Sequence, residues 1–496
     1  MVAASRHCLH TGPCARTAGT LAMTHPAPLR FPPLRAPRLQ SLAAAPPKRP
    51  PARRSLVARL ATAWAATACL AGAAQAGTVT VVTSFPKELT QAYKSAFEKA
   101  NPGIKIEILN KNTVQGMAYI RELPAGQKPD VFWASAPDAF EVMAGLKQLE
   151  NIADLANKAA PAKVGNYPIN NPQGLYLGQA LAGYGLMSNT RYMAANKLPP
   201  ARQWADLLKP VYFGHLAMSS PSRSGTTHLT VETILQGEGW DKGWGQILQI
   251  AGNCAAITER SFGVPDGVNS GQFGIGLVID FFGLAGRYSG FPVEFHYPDV
   301  TAVVPANIAL VTGAKNAPEA RKFIAYTVSL EGQQLLYDPK ISRLPILPPE
   351  QMGGKTPAGY PNPFEIAKRA KVQFDSDLSE ARYNVVSAMF DQTITFRLKD
   401  LQAATKAIHE AEAALAKKPN AQAAALLKQA RDTAYSPAVG PRMAGDKDFL
   451  ALFAANKKDA AVNKQVTGLE DRWNSTAKEN YARAKALAEQ ATGMLK

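Results

Sequence analysis

From Gly77 onward two hydrophobic periods alternate in quick succession. Thr78 to Thr83 (TVTVVT) is a β-branched run that predicts a strand, and Lys87 to Ala100 sets Leu89, Tyr93, Phe97 and Ala100 on one face of a helix. Asn101-Pro102-Gly103 stops that helix, Ile104 to Leu109 alternates as a second strand, and Val114 to Leu123 returns to helical spacing. Asp130 to Ala134 predicts a buried strand and Ala136 to Leu149 the helix after it. Strand and helix alternating at this spacing predict a parallel sheet with helices on both faces, in which ligands bind beyond the carboxyl ends of the strands.

A second unit of the same kind follows a crossover strand at Gly183 to Ser188. His215 to Ser219 reads as a strand, Ser220 to Gly225 as a polar turn, and Thr226 to Leu235 and Trp240 to Ile250 as helices. Strands are predicted at Ile275 to Phe281, Pro292 to His296 and Thr301 to Thr312, and helices at Pro318 to Val328 and Glu331 to Tyr337. The fold class is therefore α/β, with two lobes joined by more than one crossover and a cleft that can close on a ligand.

From Asn362 to Lys496 the pattern is largely helical. Phe390, Ile394, Leu398, Leu401, Ile408 and Leu415 keep helical spacing along one stripe, and Ala421 to Ala434 repeats it after Lys417-Lys418-Pro419-Asn420, which predicts a helical hairpin. A further helix is expected at Glu470 to Leu487, carrying Trp473 and Tyr481. Two readings stay open for this block, a packed helical cap or a contact surface for a membrane sensor or a second protomer.

Charge changes the picture only at the start of the chain. The formal net charge is +17, but residues 1–76 hold ten Lys and Arg and no Asp or Glu, leaving 45 basic against 38 acidic residues, a surplus of +7, from Gly77 onward. Lys48, Arg49, Arg53, Arg54 and Arg59 precede the apolar run Leu60 to Ala74, and Ala74-Gln75-Ala76 follows, which is the layout of an export signal cut before Gly77. That run is too short for a membrane span of about 20 residues. A disordered or matrix-type tail, a lipidated Cys69 and a twin-arginine signal at Arg53-Arg54 are the rival readings. Cys8, Cys14 and Cys69 lie upstream of the cut, so Cys254 has no partner for an intramolecular disulfide.

Five phrases, VVTSFPKELTQAYKSAFEKANPGIKIEI, KPDVFWASAPDAFEVM, MSSPSRSGTTH, NSGQFGIGLVIDFF and GAKNAPEARKFIAYTVSLEGQQLLYDP, fall in this order between Val81 and Pro339. Together they resemble the periplasmic substrate-binding protein of an ABC importer, in the branch that contains ferric-ion, sugar-phosphate and phosphoglycerate binders. The resemblance implies a type II-like two-lobe fold without catalysis or cofactor. It implies a periplasmic location, a small anionic solute as ligand and an inner-membrane ABC permease as partner. The stretch FDSDLSEARYNVVSAMFDQTITFRLKDLQ is similar to the tail of receptors that feed or report on phosphoglycerate-type uptake, so a membrane sensor is a further candidate partner. The organisation expected is a leader and signal peptide over 1–76, a two-lobe solute-binding domain over 77–347 and a helical C-terminal extension over 348–496. Within the domain, lobe 1 takes about 77–185 and 301–347, and lobe 2 about 186–300.

Candidate ligand groups sit at strand-to-helix turns, where backbone N–H groups point outward unsatisfied. Ser220, Ser222, Ser224, Gly225, Thr226 and Thr227 form such a turn, suited to a phosphate or carboxylate, with Arg223 or His228 as charge partner. The resemblance singles out Ser224, Gly225 and Thr226. On the opposite wall, Thr83, Ser84 and Phe85 follow the first strand, Asn112 and Thr113 the second, and Ser135 the third. Each of these, taken singly, is equally well a helix cap. Asp280 either pairs with Arg260 or Arg287 or accepts hydrogen bonds from the hydroxyls of a polyol. Arg260 and Ser261 are candidates for the anionic end, and Glu259 for a polyol acceptor if it faces the cleft.

Ferric binders of the branch carry adjacent tyrosines where this chain has EFHYPDVTAVV, with a single Tyr297. His296, Tyr297 and Asp299 are the residues a hard metal would need, which keeps a ferric-ion receptor as the alternative while the expectation is no metal site. A ligand sensor that signals to a membrane partner is the second alternative. No Walker loop, HExxH, GxSxG or CxxC occurs, so an enzyme is not expected. Nor is a nucleic-acid binder, since Lys and Arg are not clustered with interleaved aromatics.

Overall fold

The β-branched run at the start becomes β1 (Gly77–Thr83), an interior strand one place in from the edge of its sheet and buried on both faces at Val79, Val81, Val82 and Thr83. Helix α1 (Lys87–Ala100) turns Leu89, Tyr93 and Phe97 inward, where burial contributes roughly 1.5–3 kcal/mol per side chain. The Asn101 side chain donates to the Phe97 carbonyl at its end (3.1 Å). The computed structural model describes residues 77–455 and 459–496. The expected signal peptide, its Ala74-Gln75-Ala76 site and Cys8, Cys14 and Cys69 lie outside the described residues.

The first lobe continues with β2 (Ile104–Asn110), α2 (Thr113–Glu122), β3 (Val131–Ala134) and α3 (Pro137–Gly145). A short hairpin of β4 (Lys163–Val164) and β5 (Tyr167–Pro168) precedes β6 (Leu177–Asn189), which crosses into the second lobe. That lobe contains α4 (Thr190–Ala195), β7 (Leu216–Ser219), α5 (Gly225–Glu238), α6 (Trp240–Asn253) and β8 (Cys254–Thr258). It is completed by α7 (Gly263–Ser270), β9 (Ile275–Ile279), α8 (Asp280–Tyr288) and β10 (Val293–His296). Strand β11 (Val303–Leu310) returns to the first lobe, followed by α9 (Ala317–Val328) and α10 (Leu330–Gln334). The remaining helices are α11 (Pro363–Arg369), α12 (Ser376–Thr393), α13 (Leu398–Lys417), α14 (Ala421–Ala434), α15 (Pro441–Ala444), α16 (Lys447–Ala454) and α17 (Ala460–Gly493).

One sheet runs through both lobes in the order β2-β1-β3-β11-β6-β9-β7-β8, with β10 also paired to β6. The sheet is mixed, which corrects the expected all-parallel arrangement. β1 pairs in parallel with β2 and β3, and β7 with β8 and β9, whereas β11 and β6 run antiparallel to their neighbours. The reason is that the two crossover segments enter and leave each sheet from the other lobe. β6 is longer than its predicted core, with Leu177 to Gly183 paired to β11 and Tyr184 to Ser188 paired to β9. At the crossing only glycine fits at position 185, since a Cβ there would lie 2.1 Å from the His296 carbonyl oxygen.

From α12 onward the C-terminal helices share one hydrophobic core with the second lobe, whereas Ile366 of α11 is buried in the core of the first. Val385, Met389 and Phe390 of α12 and Leu401 and Ile408 of α13 are buried in the same cluster as Trp240, Trp244, Ile247 and Leu248 of α6. The Trp240 indole donates to the Val439 carbonyl (2.7 Å), and His409 Nε2 meets Asn253 Oδ1 at 2.8 Å. The stripe expected along one helix is broken at Ile394 to Arg397, and the last helix is longer than predicted. Cys254 is buried and free, its thiol raised by burial.

Candidate functional site

Six helices begin at one small cavity between the lobes, of about 20 Å3. Its first-lobe wall is Ser84, Phe85 and Pro86 before α1, Asn112 and Thr113 at the start of α2, and Ser135 before α3. Its second-lobe wall is Arg223, Ser224, Gly225 and Thr226 around the start of α5, Arg260 and Ser261 before α7, and Phe281 and Phe282 in the first turn of α8. Each of these helices has at least eight residues, and the N-termini of α1, α3, α7 and α8 carry no side-chain cap. Unsatisfied N–H groups and the positive ends of the helix dipoles therefore converge on the cavity.

The hydroxyls of Ser84, Thr113, Ser135, Thr226 and Ser261 line this cavity without a side-chain hydrogen bond of their own to any of the described residues. Two other lining residues are caps as well. Ser224 Oγ accepts the Thr227 N–H (3.1 Å), and Asn112 Oδ1 accepts that of Gln115 (2.8 Å). Arg260 reaches across the cleft to donate to Asn110 Oδ1 (3.1 Å) and lies over the Phe262 ring, and burial lowers its guanidinium from the ordinary arginine range. Arg223 is drawn to Glu259 (2.9 Å). The arrangement supplies hydroxyl donors, backbone donors and one cation to a small anion, with no carboxylate on the wall to oppose it.

Ten of the candidate residues thus share one cavity: Ser84, Phe85, Asn112, Thr113, Ser135, Ser224, Gly225, Thr226, Arg260 and Ser261. Three do not line it. Ser222 turns away because its hydroxyl donates to Asp391 Oδ2 of α12 (2.5 Å). Thr227 lies in the first turn of α5, where its N–H is taken by the Ser224 cap, and is buried. Asp280 is fully buried in the hinge, where Oδ2 accepts the Gly183 N–H (2.7 Å) and the Tyr297 hydroxyl (3.0 Å). It pairs with neither Arg260 nor Arg287, and burial pushes its carboxyl up to about 7.

Other expectations are corrected in the same way. Glu259 has an 83% exposed side chain and faces solvent. His228 is buried against Asp138 of the first lobe (3.1 Å) and Ser379 of α12 (3.2 Å), away from the cavity. Tyr297, His296 and Asp299 are drawn to separate partners, Asp280, Glu294 and Lys371 respectively. Among the described residues no group of three or more His, Cys, Asp or Glu is placed to hold a metal ion. Pro86, Phe281 and Phe282 were not foreseen, since apolar residues after a strand carry no polar signal.

Residues 126–372 match the family described as bacterial extracellular solute-binding protein. The phosphoglycerate transport regulatory protein PgtC of Salmonella typhimurium is 32% identical over 392 residues, covering 78% of this chain and 92% of that one. The periplasmic binding protein AfuA of Actinobacillus pleuropneumoniae, solved with fructose-6-phosphate, aligns with a TM-score of 0.56 at 17% identity, over 64% of this chain and 99% of its own. The apo ferric ion-binding protein A of Pasteurella haemolytica aligns with a TM-score of 0.51 at 16% identity, over 65% and 98% respectively. Both show the two-lobe periplasmic binding protein fold, which this chain extends with C-terminal helices. Among the described residues no helix is long and apolar enough to cross a membrane.

Proposed function

The chain belongs to the family of bacterial extracellular solute-binding proteins, and from that premise we propose that it is the periplasmic receptor of an ABC importer for a small anionic organic solute. A phosphate ester, such as a sugar phosphate or a phosphoglycerate, is the ligand class that fits best. The observation that carries this reading is the set of free hydroxyls at converging helix N-termini, with Arg260 beside them. The name of the 32% identical relative, a phosphoglycerate transport regulatory protein, supports the same class. The site binds and releases, and its partner is an inner-membrane permease. A ferric receptor is the weaker reading, because Tyr297 is committed to Asp280 in the hinge. Native mass spectrometry of the protein as purified, followed by calorimetry with phosphate esters, tests the proposal. A phosphate-ester adduct is expected, and bound iron with visible colour would overturn it.

A second reading, a sensor that reports its bound state to a membrane partner, is favoured by α12. That helix touches the first lobe at Asp138 through Ser379 (3.3 Å) and the second at Glu232 through Arg382 (3.2 Å). Leu378, in its first turn, and Phe396, in the short turn that follows its end, are exposed large apolar residues. Replacing both with Ser should abolish a membrane response while solute affinity holds, and a response that persists would count against this reading.

A further inference from the structure

Beyond the small cavity the cleft widens into a second one of about 750 Å3, and Pro86, Phe281 and Phe282 belong to both. Arg343 lines the larger cavity. It is 1% exposed, and among the described residues none of its three guanidinium nitrogens has a hydrogen-bond partner. A buried, charged group with five N–H donors and no acceptor is costly unless something supplies one. Its guanidinium carbon lies over the Phe281 ring (3.6 Å to the centroid) and the Phe85 ring (4.1 Å). The rings pack against the guanidinium without supplying an acceptor, so a partner would be taken at its N–H edge, the edge that pairs with a carboxylate in bidentate fashion. Phe85 comes from the first lobe and Phe281 from the second, so opening the cleft separates the rings that cover the group.

The obvious internal partner does not reach it. Asp280 forms no ion pair with Arg343, its Oδ1 is itself without a partner, and the nearby Tyr184 hydroxyl is a third buried orphan. Burial lowers the Arg343 guanidinium to about 9, against the smaller opposing effect of the Asp280 carboxylate. Lys87 and Lys340 also line the cavity and add positive charge, against Glu88 and Asp266.

We propose that Arg343 forms a second anion subsite, taking the carboxylate of a solute whose phosphate occupies the Ser224-Gly225-Thr226 turn. The proposal rests on the phosphate-ester reading above and narrows it to phosphorylated acids over sugar phosphates. The test is calorimetry of 3-phosphoglycerate and glycerol 3-phosphate, which differ by a carboxylate in place of a hydroxymethyl group, on wild type, Arg343→Met and Arg343→Lys. One charge-assisted contact should favour the acid roughly 10- to 150-fold in wild type. The ratio should fall to about 1 in Arg343→Met and to an intermediate value in Arg343→Lys, which keeps the charge without the fork. Using the ratio within each protein removes any general loss of binding, and if Arg343→Met fails to fold, an undiminished ratio in Arg343→Lys overturns the subsite. Equal affinities in wild type would remove the subsite and leave the phosphate-ester reading standing. Binding of neither ester would remove that reading itself. A preference that survives in Arg343→Met would make Arg343 only a structural counterion of Asp280.

Discussion

At Gly225 the two lobes approach closely, and Gly225→Ala should act there as a wedge. A Cβ at this position would lie 2.6 Å from Ala136 Cβ and 3.1 Å from Thr113 Oγ1, both on the opposite lobe. Carbon atoms in contact prefer 3.5–4.0 Å, so the approach is short by about 1 Å. Ala136 cannot rotate away, because its Cβ is fixed by the backbone. Overpacking of this size costs about 1–3 kcal/mol, and it applies only while the lobes touch. The unliganded protein escapes by opening, so the melting temperature should hold. Affinity for a phosphate ester should fall by roughly 5- to 150-fold. Calorimetry with 3-phosphoglycerate, melting curves and small-angle scattering on both proteins check this. Unchanged affinity with an unchanged radius of gyration would refute the reasoning, because the liganded lobes would then not meet at Gly225.

Three further outcomes are expected. Thr226→Val removes one donor to a charged ligand, so affinity should drop roughly 10- to 150-fold with melting unchanged, since the Thr226 hydroxyl makes no internal hydrogen bond; calorimetry alongside melting reads both. Asp280, raised to about 7, keeps its proton in the folded state while the unfolded chain loses it near 3.8. Wild-type stability should therefore fall by about 1.4 kcal/mol per pH unit as pH rises between these values, and denaturant titrations of Asp280→Asn should show that slope flattened. Deleting residues 362–496 would expose Trp240, Trp244, Ile247 and Leu248, and at roughly 1.5–3 kcal/mol for each buried side chain the loss approaches the whole stability of a domain. The truncated chain should be insoluble or molten by circular dichroism, and a sharp native-like melt would contradict the shared core.

What could be read in the sequence follows from how local each determinant is. The elements from β1 to α3 declare themselves because a β-branched run and a 3.6-residue stripe need only their own residues, and α1 falls on its predicted bounds. Strand β8 (CAAIT) and helix α7 (GVPDGVNS) do not, since one is short and the other rich in Gly and Pro, and both are held by neighbours far along the chain. The predicted strand Ile275 to Phe281 ends at Ile279 because Phe281 and Phe282 continue an apolar run although the backbone has already turned into α8. The hydroxyls at strand ends were legible for a chemical reason, as a turn between strand and helix orients them outward. Asp280 looks the same in one dimension. Its role depends on Gly183 and Tyr297, which come together only when both crossovers are in place. Arg343 carries no local signal at all, because its two flanking rings stand at positions 85 and 281.

The C-terminal helices alter the mechanics of the cleft as well as its stability. Arg382 pairs with Glu232, and Asp391 accepts hydrogen bonds from Ser220 (2.7 Å) and Ser222 (2.5 Å), so α12 is tied to the second lobe at the turn that precedes Ser224. Its contact with the first lobe is different in kind. Ser379 and His228 both meet the single carboxylate oxygen Asp138 Oδ2, at 3.3 and 3.1 Å, and all three side chains are fully buried. Parting the lobes must withdraw Asp138 from both, exposing polar groups that are satisfied only in the closed form. The same junction stabilises the closed arrangement, and just before α12 the Phe374 ring also lies against Tyr167 of the first lobe (6.3 Å between centroids), so this end of the helix is held to both lobes. Under the sensor reading proposed above, this helix, tied to both lobes by buried polar contacts, is the element that would carry solute binding to the surface of the C-terminal block.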